Sequence, residues 1–215
     1  MITKGIIFDV DGTMLDSMHV WKNVGLDYLA SVNVEPKENM EDTLRSMSLY
    51  EVAHYYKEEC NVPHTVPEII DIINSMIEKF YREADSIKPG VKELLKFFYD
   101  NGIKMCVSTA TDRYLIEAAL EKNGIAQYFD KIFTCNEVGK GKSDPLIYDL
   151  AMEFMGTDKE STLIFEDALY AITTAKNAGY RVVAVADRQA GNPEDIKNIA
   201  DYYLEDYKKF RFDIL

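Results

Sequence analysis

The chain has 215 residues, 47% hydrophobic and 28% charged, an ordinary soluble composition with material for one large domain or a core plus a smaller unit. Its formal net charge of −13 argues against a nucleic-acid backbone or an anionic membrane as partner. Any anionic substrate must therefore be drawn in by local positive charge or by a metal.

Gly5–Phe8 is predicted as the first strand, and it ends in Asp9-Val10-Asp11-Gly12-Thr13. Carboxylates at i and i+2 of an extended chain project to the same side. Like charges so placed raise one another's pKa unless a cation or a hydrogen-bond network compensates. From Ser17 to Asp85 the pattern is helix after helix, over His19–Ser31, Met40–Cys60 and Pro67–Ala84, with turn signals at Asn33–Pro36 and Asn61–Pro63. The stretch IKPG at Ile87–Gly90 marks the return to the core, because Lys88 precedes proline and is biased to extended conformations.

Beyond it, strands are predicted at Lys104–Ser108, Lys131–Thr134, Thr162–Phe165 and Arg181–Ala186. Amphipathic helices fall at Gly90–Asp100, Asp112–Asn123 and Pro145–Met155. Nearly continuous apolar strands suit a parallel sheet covered on both faces. The predicted class is α/β: a doubly wound, Rossmann-like parallel-sheet core, residues 1–16 and 87–215, with an inserted all-helical unit, residues 17–86.

Three cysteines, Cys60, Cys106 and Cys135, lack CxxC spacing, which disfavours a disulfide scaffold or a zinc site. The N-terminal MITKGIIFDVDG has no signal-peptide apolar region, and no segment approaches the ~20 apolar residues of a membrane span. A reduced, cytoplasmic protein is expected.

In an open parallel sheet, ligands sit at the carboxyl ends of the strands. Standing there are Asp9 and Asp11, Ser108, Thr109 and Thr111 of MCVSTAT, Glu166 and Asp167 of LIFED, and Lys140 and Lys142 of NEVGKGKSDP. Four acids, hydroxyls and lysines at one edge outline a metal-and-phosphate site.

These residues resemble the haloacid-dehalogenase superfamily of phosphoryl-transfer enzymes along essentially the whole chain. DVDGT is similar to its first motif, DxDGT. Thr109 in VSTAT fits the second, Lys142 in GKSDP the third, and Glu166-Asp167 the fourth, in the expected order. The helical insert resembles the cap of the subfamily containing β-phosphoglucomutase and phosphoglycolate phosphatase. The resemblance implies that Asp9 attacks phosphorus and that Asp11 protonates the leaving oxygen, then activates water. It implies Mg²⁺ held by Asp9, the Asp11 carbonyl and Asp167, with Glu166 contributing directly or through water. Thr109, with Ala110 beside it, and Lys142 would hold the phosphoryl oxygens. Arg45, in a stretch resembling the mutase RxxSL, and Trp21 are the candidate substrate contacts of the cap. The chemistry suits these residue types: Mg²⁺ prefers hard oxygen ligands, and phosphoryl transfer relies on positioning and charge neutralisation.

Competing readings are weaker. A receiver domain also clusters acids and a lysine, but carries no helical block after its first strand. A P-loop, G-x-x-x-x-G-K-[ST], would need glycine where the chain has Asn136. Lys140 reads as a solvated loop charge, and His19, His54 and His64 show no ligand spacing.

The pattern also departs from the family. Where mutase relatives carry a cap histidine this chain has Trp21, the mutase cap lysine has no clear counterpart, Ser143 replaces a proline and Ala168 a serine. The expected function is a Mg²⁺-dependent phosphatase acting on a small phosphorylated metabolite, with a sugar phosphate as one candidate. The alternative is a β-phosphoglucomutase-like sugar phosphomutase, and behind it a catalytically silent phosphate-binding protein. Dehalogenation is disfavoured because that branch does not need the second aspartate. The sequence leaves the oligomeric state open.

Overall fold

A computed structural model of the chain describes residues 3–44, 47–188 and 192–215. Six parallel strands form one sheet: β1 (Gly5–Phe8), β2 (Lys104–Thr109), β3 (Lys131–Thr134), β4 (Thr162–Glu166), β5 (Arg181–Val185) and β6 (Tyr202–Leu204). Their order is β3-β2-β1-β4-β5-β6. Side chains alternate between two apolar layers. Ile6, Phe8, Met105, Val107, Leu163 and Phe165 enter one, while Ile7, Cys106, Ile164, Val182 and Ala184 enter the other. Both layers are covered, which is why the strands read as unbroken apolar runs. At the centre Phe8 stacks on Phe165 with ring centroids 4.6 Å apart, and burying each ring contributes about 1.5–3 kcal/mol.

Between β1 and β2 lie α1 (Met18–Ser31), α2 (Met40–Leu44), α3 (Leu49–Glu59) and α4 (Val66–Glu83), with no strand among the described residues of that interval. Helices α5 (Val91–Asp100) and α6 (Arg113–Lys122) then pack on the first layer. The short α7 (Cys135–Val138) follows β3. Helices α8 (Leu146–Met155), α9 (Leu169–Asn177) and α10 (Pro193–Ile199) pack on the second layer. The two connections of the helical block run side by side, the Asp16 N–H donating to the Ser86 carbonyl at 2.8 Å and the Lys88 N–H to the Met14 carbonyl at 2.8 Å.

Two expectations need correction. The helix expected over Met40–Cys60 is two helices, because Ser48 starts a new one. Its Oγ accepts the Glu51 N–H at 3.3 Å while Glu51 Oε2 accepts the Ser48 N–H at 2.7 Å, a reciprocal capping box. Strand β6 and helices α7, α9 and α10 lie outside the predicted elements; β6 has only three residues and no apolar run of its own. No described helix is long and apolar enough to cross a membrane.

The chain steps outward from β1 to β2 to β3, then returns to β4 on the other side of β1. That reversal opens a crevice at the carboxyl ends of β1 and β4, the place where doubly wound sheets bind ligands.

Candidate active site

Asp9 follows β1 and Asp167 follows β4, so both face this crevice. The Asp9 N–H donates to the Phe165 carbonyl at 2.9 Å, extending the ladder one residue and fixing the start of the loop. Asp9, Glu166 and Asp167 are all buried, and each offers a carboxylate oxygen within 4.8 Å of the others. The Lys142 ammonium, 3% exposed, donates to Asp9 Oδ1 and, at 2.5 Å, to Glu166 Oε1. Glu166 is further tied down: Tyr148 donates to Oε1 at 3.4 Å, and the amides of Asp167 and Ala168 donate to Oε2 at 2.8 and 3.0 Å. Its carboxylate thus anchors both the lysine and the turn after β4. Thr13 donates its hydroxyl to Asp167 Oδ1 at 3.0 Å.

The turn just after Asp11 needs glycine. Gly12 has φ +78°, and a Cβ there would overlap Oδ2 of Asp167 and come within 2.9 Å of Met18 Cγ. Lys88 supports the same turn from below, donating to the Gly12 carbonyl, to the Ala186 carbonyl at 3.0 Å and to Asp187 Oδ2 at 3.1 Å.

Asp11 is not part of the carboxylate cluster, and its side chain sits in a cradle of hydroxyls. Ser17 donates to Oδ1 at 2.6 Å and Tyr81 to the same oxygen at 2.5 Å, while Thr111 donates to Oδ2 at 2.7 Å. One strand end therefore presents two aspartates in different surroundings.

The electrostatics are unbalanced as the residues stand. Burial pushes the Asp9 carboxyl up to about 7; Lys142 pulls it down, and Glu166 and Asp11 push it up again. Burial likewise holds Asp167 well above the ordinary carboxylate range, with Glu166 and Asp9 adding to it. Burial opposes the Lys142 charge, yet Asp9 and Glu166 outweigh it and keep the ammonium protonated. Three buried carboxylates against one lysine form a hard-oxygen donor set with surplus negative charge. A divalent cation fits such a set and reverses its pKa logic.

The chain matches the haloacid dehalogenase-like hydrolase profile over residues 6–185. It belongs to that family. It is 24% identical over 176 residues to the phosphorylated carbohydrates phosphatase of Thermotoga maritima, covering 82% of each chain. Over 189 residues it is 23% identical to hexitol phosphatase B of Escherichia coli, covering 86% of this chain and 85% of the relative. Among solved structures, CbbY from Rhodobacter sphaeroides, in complex with xylulose-(1,5)bisphosphate, superposes with a TM-score of 0.83 at 23% identity, over 97% of this chain and 96% of that one. With phosphatase relatives matching over most of its length, this haloacid dehalogenase-like protein is a phosphoric monoester hydrolase.

In this family member the four predicted motifs meet in one crevice. Thr109 is fully buried at the end of β2, its Oγ1 accepting the Thr111 N–H at 3.1 Å, and half-buried Ala110 follows it. Lys140 lies in solvent, 3.4 Å from Asp144. The indole of Trp21 donates to the Tyr81 hydroxyl at 2.7 Å. Arg45 falls outside the described residues. The N-cap of α1 is Ser17, whose hydroxyl goes to Asp11, and the Asp16 N–H donates to the Ser86 carbonyl. Sequence reasoning missed Tyr81 and Ser17 as partners of Asp11, and Lys88 as support for Gly12. A tyrosine on the helix face whose other apolar residues are isoleucines was the one available hint.

Proposed function

We propose that the protein is a Mg²⁺-dependent phosphatase that hydrolyses a small phosphorylated sugar or polyol through an aspartyl-phosphate on Asp9. The buried cluster of Asp9, Glu166 and Asp167, with Lys142 as its counter-charge, supports this above all. Asp9, Asp167 and the backbone carbonyl of Asp11 would hold Mg²⁺. Glu166, its lone pairs committed to Lys142, Tyr148 and two amides, contributes through water and through its charge. The ion supplies neutralisation of phosphoryl charge.

An Asp9 oxygen attacks phosphorus as the bond to the leaving oxygen breaks, and Asp11 gives that oxygen its proton. Asp11 then takes a proton from the water that attacks the acyl phosphate, releasing inorganic phosphate and restoring Asp9. Lys142, Thr109 and the Ala110 backbone hold the transferring oxygens during both steps. The phosphatases acting on phosphorylated carbohydrates and hexitol phosphates among its relatives favour a substrate of that size and polarity.

Residues 17–86 serve as a cap over the site. Its two connections, near Asp16 and Ile87, would be the hinges on which it opens to admit substrate. Limited proteolysis checks this: BeF₃⁻ with Mg²⁺ should protect the connections near residues 16 and 87, and unchanged cleavage would count against a moving cap.

A screen of phosphate release across sugar and polyol phosphates with Mg²⁺ tests the function, scored for free phosphate and for isomerised product. Free phosphate abolished by EDTA is expected. Conversion of β-glucose 1-phosphate to glucose 6-phosphate with little free phosphate would replace the phosphatase with a mutase.

A further inference from the structure

From the hydrogen bonds around Asp11 we infer that Tyr81, set by Trp21, is a positioning residue that fixes which oxygen of Asp11 exchanges the catalytic proton. The inference deepens the phosphatase mechanism proposed above and rests on it. Tyr81 belongs to α4, 70 residues from Asp11 in sequence, and its side chain is buried. An indole N–H can only donate, so the Trp21 bond at 2.7 Å occupies the phenol oxygen as an acceptor. The single phenolic proton is thereby directed at Asp11 Oδ1, where the distance is 2.5 Å. With Asp11 ionised, and so an acceptor only, the relay runs from Trp21 to Tyr81 to Asp11.

Oδ1 also accepts from Ser17 at 2.6 Å, so both of its in-plane lone pairs are taken. Oδ2 accepts only from Thr111 among the described residues, which leaves one lone pair for a proton. A carboxylic acid so held carries its proton on Oδ2 and cannot turn to offer Oδ1. In the first step the proton passes from Asp11 Oδ2 to the leaving oxygen as the P–O bond breaks. In the second, Oδ2 takes a proton from the attacking water. The Tyr81 proton stays on the phenol throughout, so Tyr81 needs no contact with substrate.

A positioning role of this kind predicts a dependence on leaving group that a packing role does not. Sorbitol 6-phosphate and β-glucose 1-phosphate release alkoxide-like oxygens that need a proton. In p-nitrophenyl phosphate the leaving group departs without one. The parameter kcat/KM reports only the first chemical step and those before it. Tyr81→Phe, which removes one oxygen and keeps the ring, should lower kcat/KM for the better sugar phosphate by about tenfold or more, and for p-nitrophenyl phosphate by less than about threefold. Trp21→Phe should show the same selectivity with a smaller loss, since Tyr81 then keeps its proton but not its orientation.

Equal losses on both substrates, or no loss on either, in a Tyr81→Phe protein that melts as the wild type does, would overturn the inference. If Tyr81→Phe does not fold, Trp21→Phe decides by the same ratio. The wild type and Asp9→Asn separate the two levels of the mechanism. A wild type that releases no phosphate from any of the three, or an Asp9→Asn protein that still turns over, refutes the phosphatase mechanism and with it the role of Tyr81. Normal wild-type turnover with equal losses refutes the role of Tyr81 alone.

Discussion

Lys142→Met removes the cation between Asp9 and Glu166 while keeping a long apolar side chain in its place. Both carboxylates are buried, and Lys142 itself is 3% exposed, so water cannot substitute for the ammonium. Breaking a buried pair from one side costs about 3–5 kcal/mol. In a chain of this size each kcal/mol moves Tm by roughly 2–4 °C, so the metal-free variant should melt roughly 6–20 °C below the wild type at pH 8.

The deficit must also depend on pH. The folded-state pKa of Asp9 is already raised to about 7, chiefly by burial and against the pull of Lys142, and losing the lysine raises it further. A carboxyl with a raised folded-state pKa contributes stability that is complete below its unfolded value of about 4 and is lost as pH rises through the folded value. The variant should therefore be nearer the wild type at pH 5 than at pH 8. Thermal unfolding in EDTA at both pH values measures this, and turnover with Mg²⁺ should fall by about a hundredfold or more. A variant that melts within about 1 °C of the wild type at both pH values would show that the lysine balances no buried charge.

Gly12→Ala forces a side chain into a left-handed backbone and against Oδ2 of Asp167. The backbone strain alone costs about 1–2 kcal/mol, and displacement of Asp167 should cut turnover more than Tm; normal turnover at ordinary Mg²⁺ concentrations would contradict the close approach. Asp167→Asn should shift the Mg²⁺ concentration for half-maximal activity upward by about tenfold or more, as loss of a charged ligand does. An unchanged Mg²⁺ titration would remove Asp167 from the metal site.

The strand ends were legible because each apolar run stops at an acid of the proposed active site: Phe8 before Asp9, Phe165 before Glu166 and Asp167. A parallel sheet buried on both faces leaves a strong signal, and its polar interruptions stand out. The helix boundary at Ser48 was legible in principle, since Ser48-Leu49-Tyr50-Glu51 spells a capping box, but the apolar period on either side masked the break. The surroundings of Asp11 were not legible. Its three donors come from the loop before α1, from α4 and from the loop after β2, and only tertiary packing brings them to one carboxylate. Tyr81 and Trp21 carry aromatic surface suited to a helical core, so their polar ends were hidden behind the commoner use of such residues. Lys88 was read for the proline after it, and its ammonium reaches Gly12 only because the two connections of the helical block lie side by side.

The mechanism rests on one species: a phosphoryl group on the side chain of Asp9. Rapid acid quench during turnover of the best substrate, followed by reduction with borohydride and peptide mass spectrometry, locates it. The account predicts modification at Asp9, absent from Asp9→Asn and from protein in EDTA. A phosphorylated residue elsewhere, or steady turnover with no covalent adduct on any side chain, would contradict it.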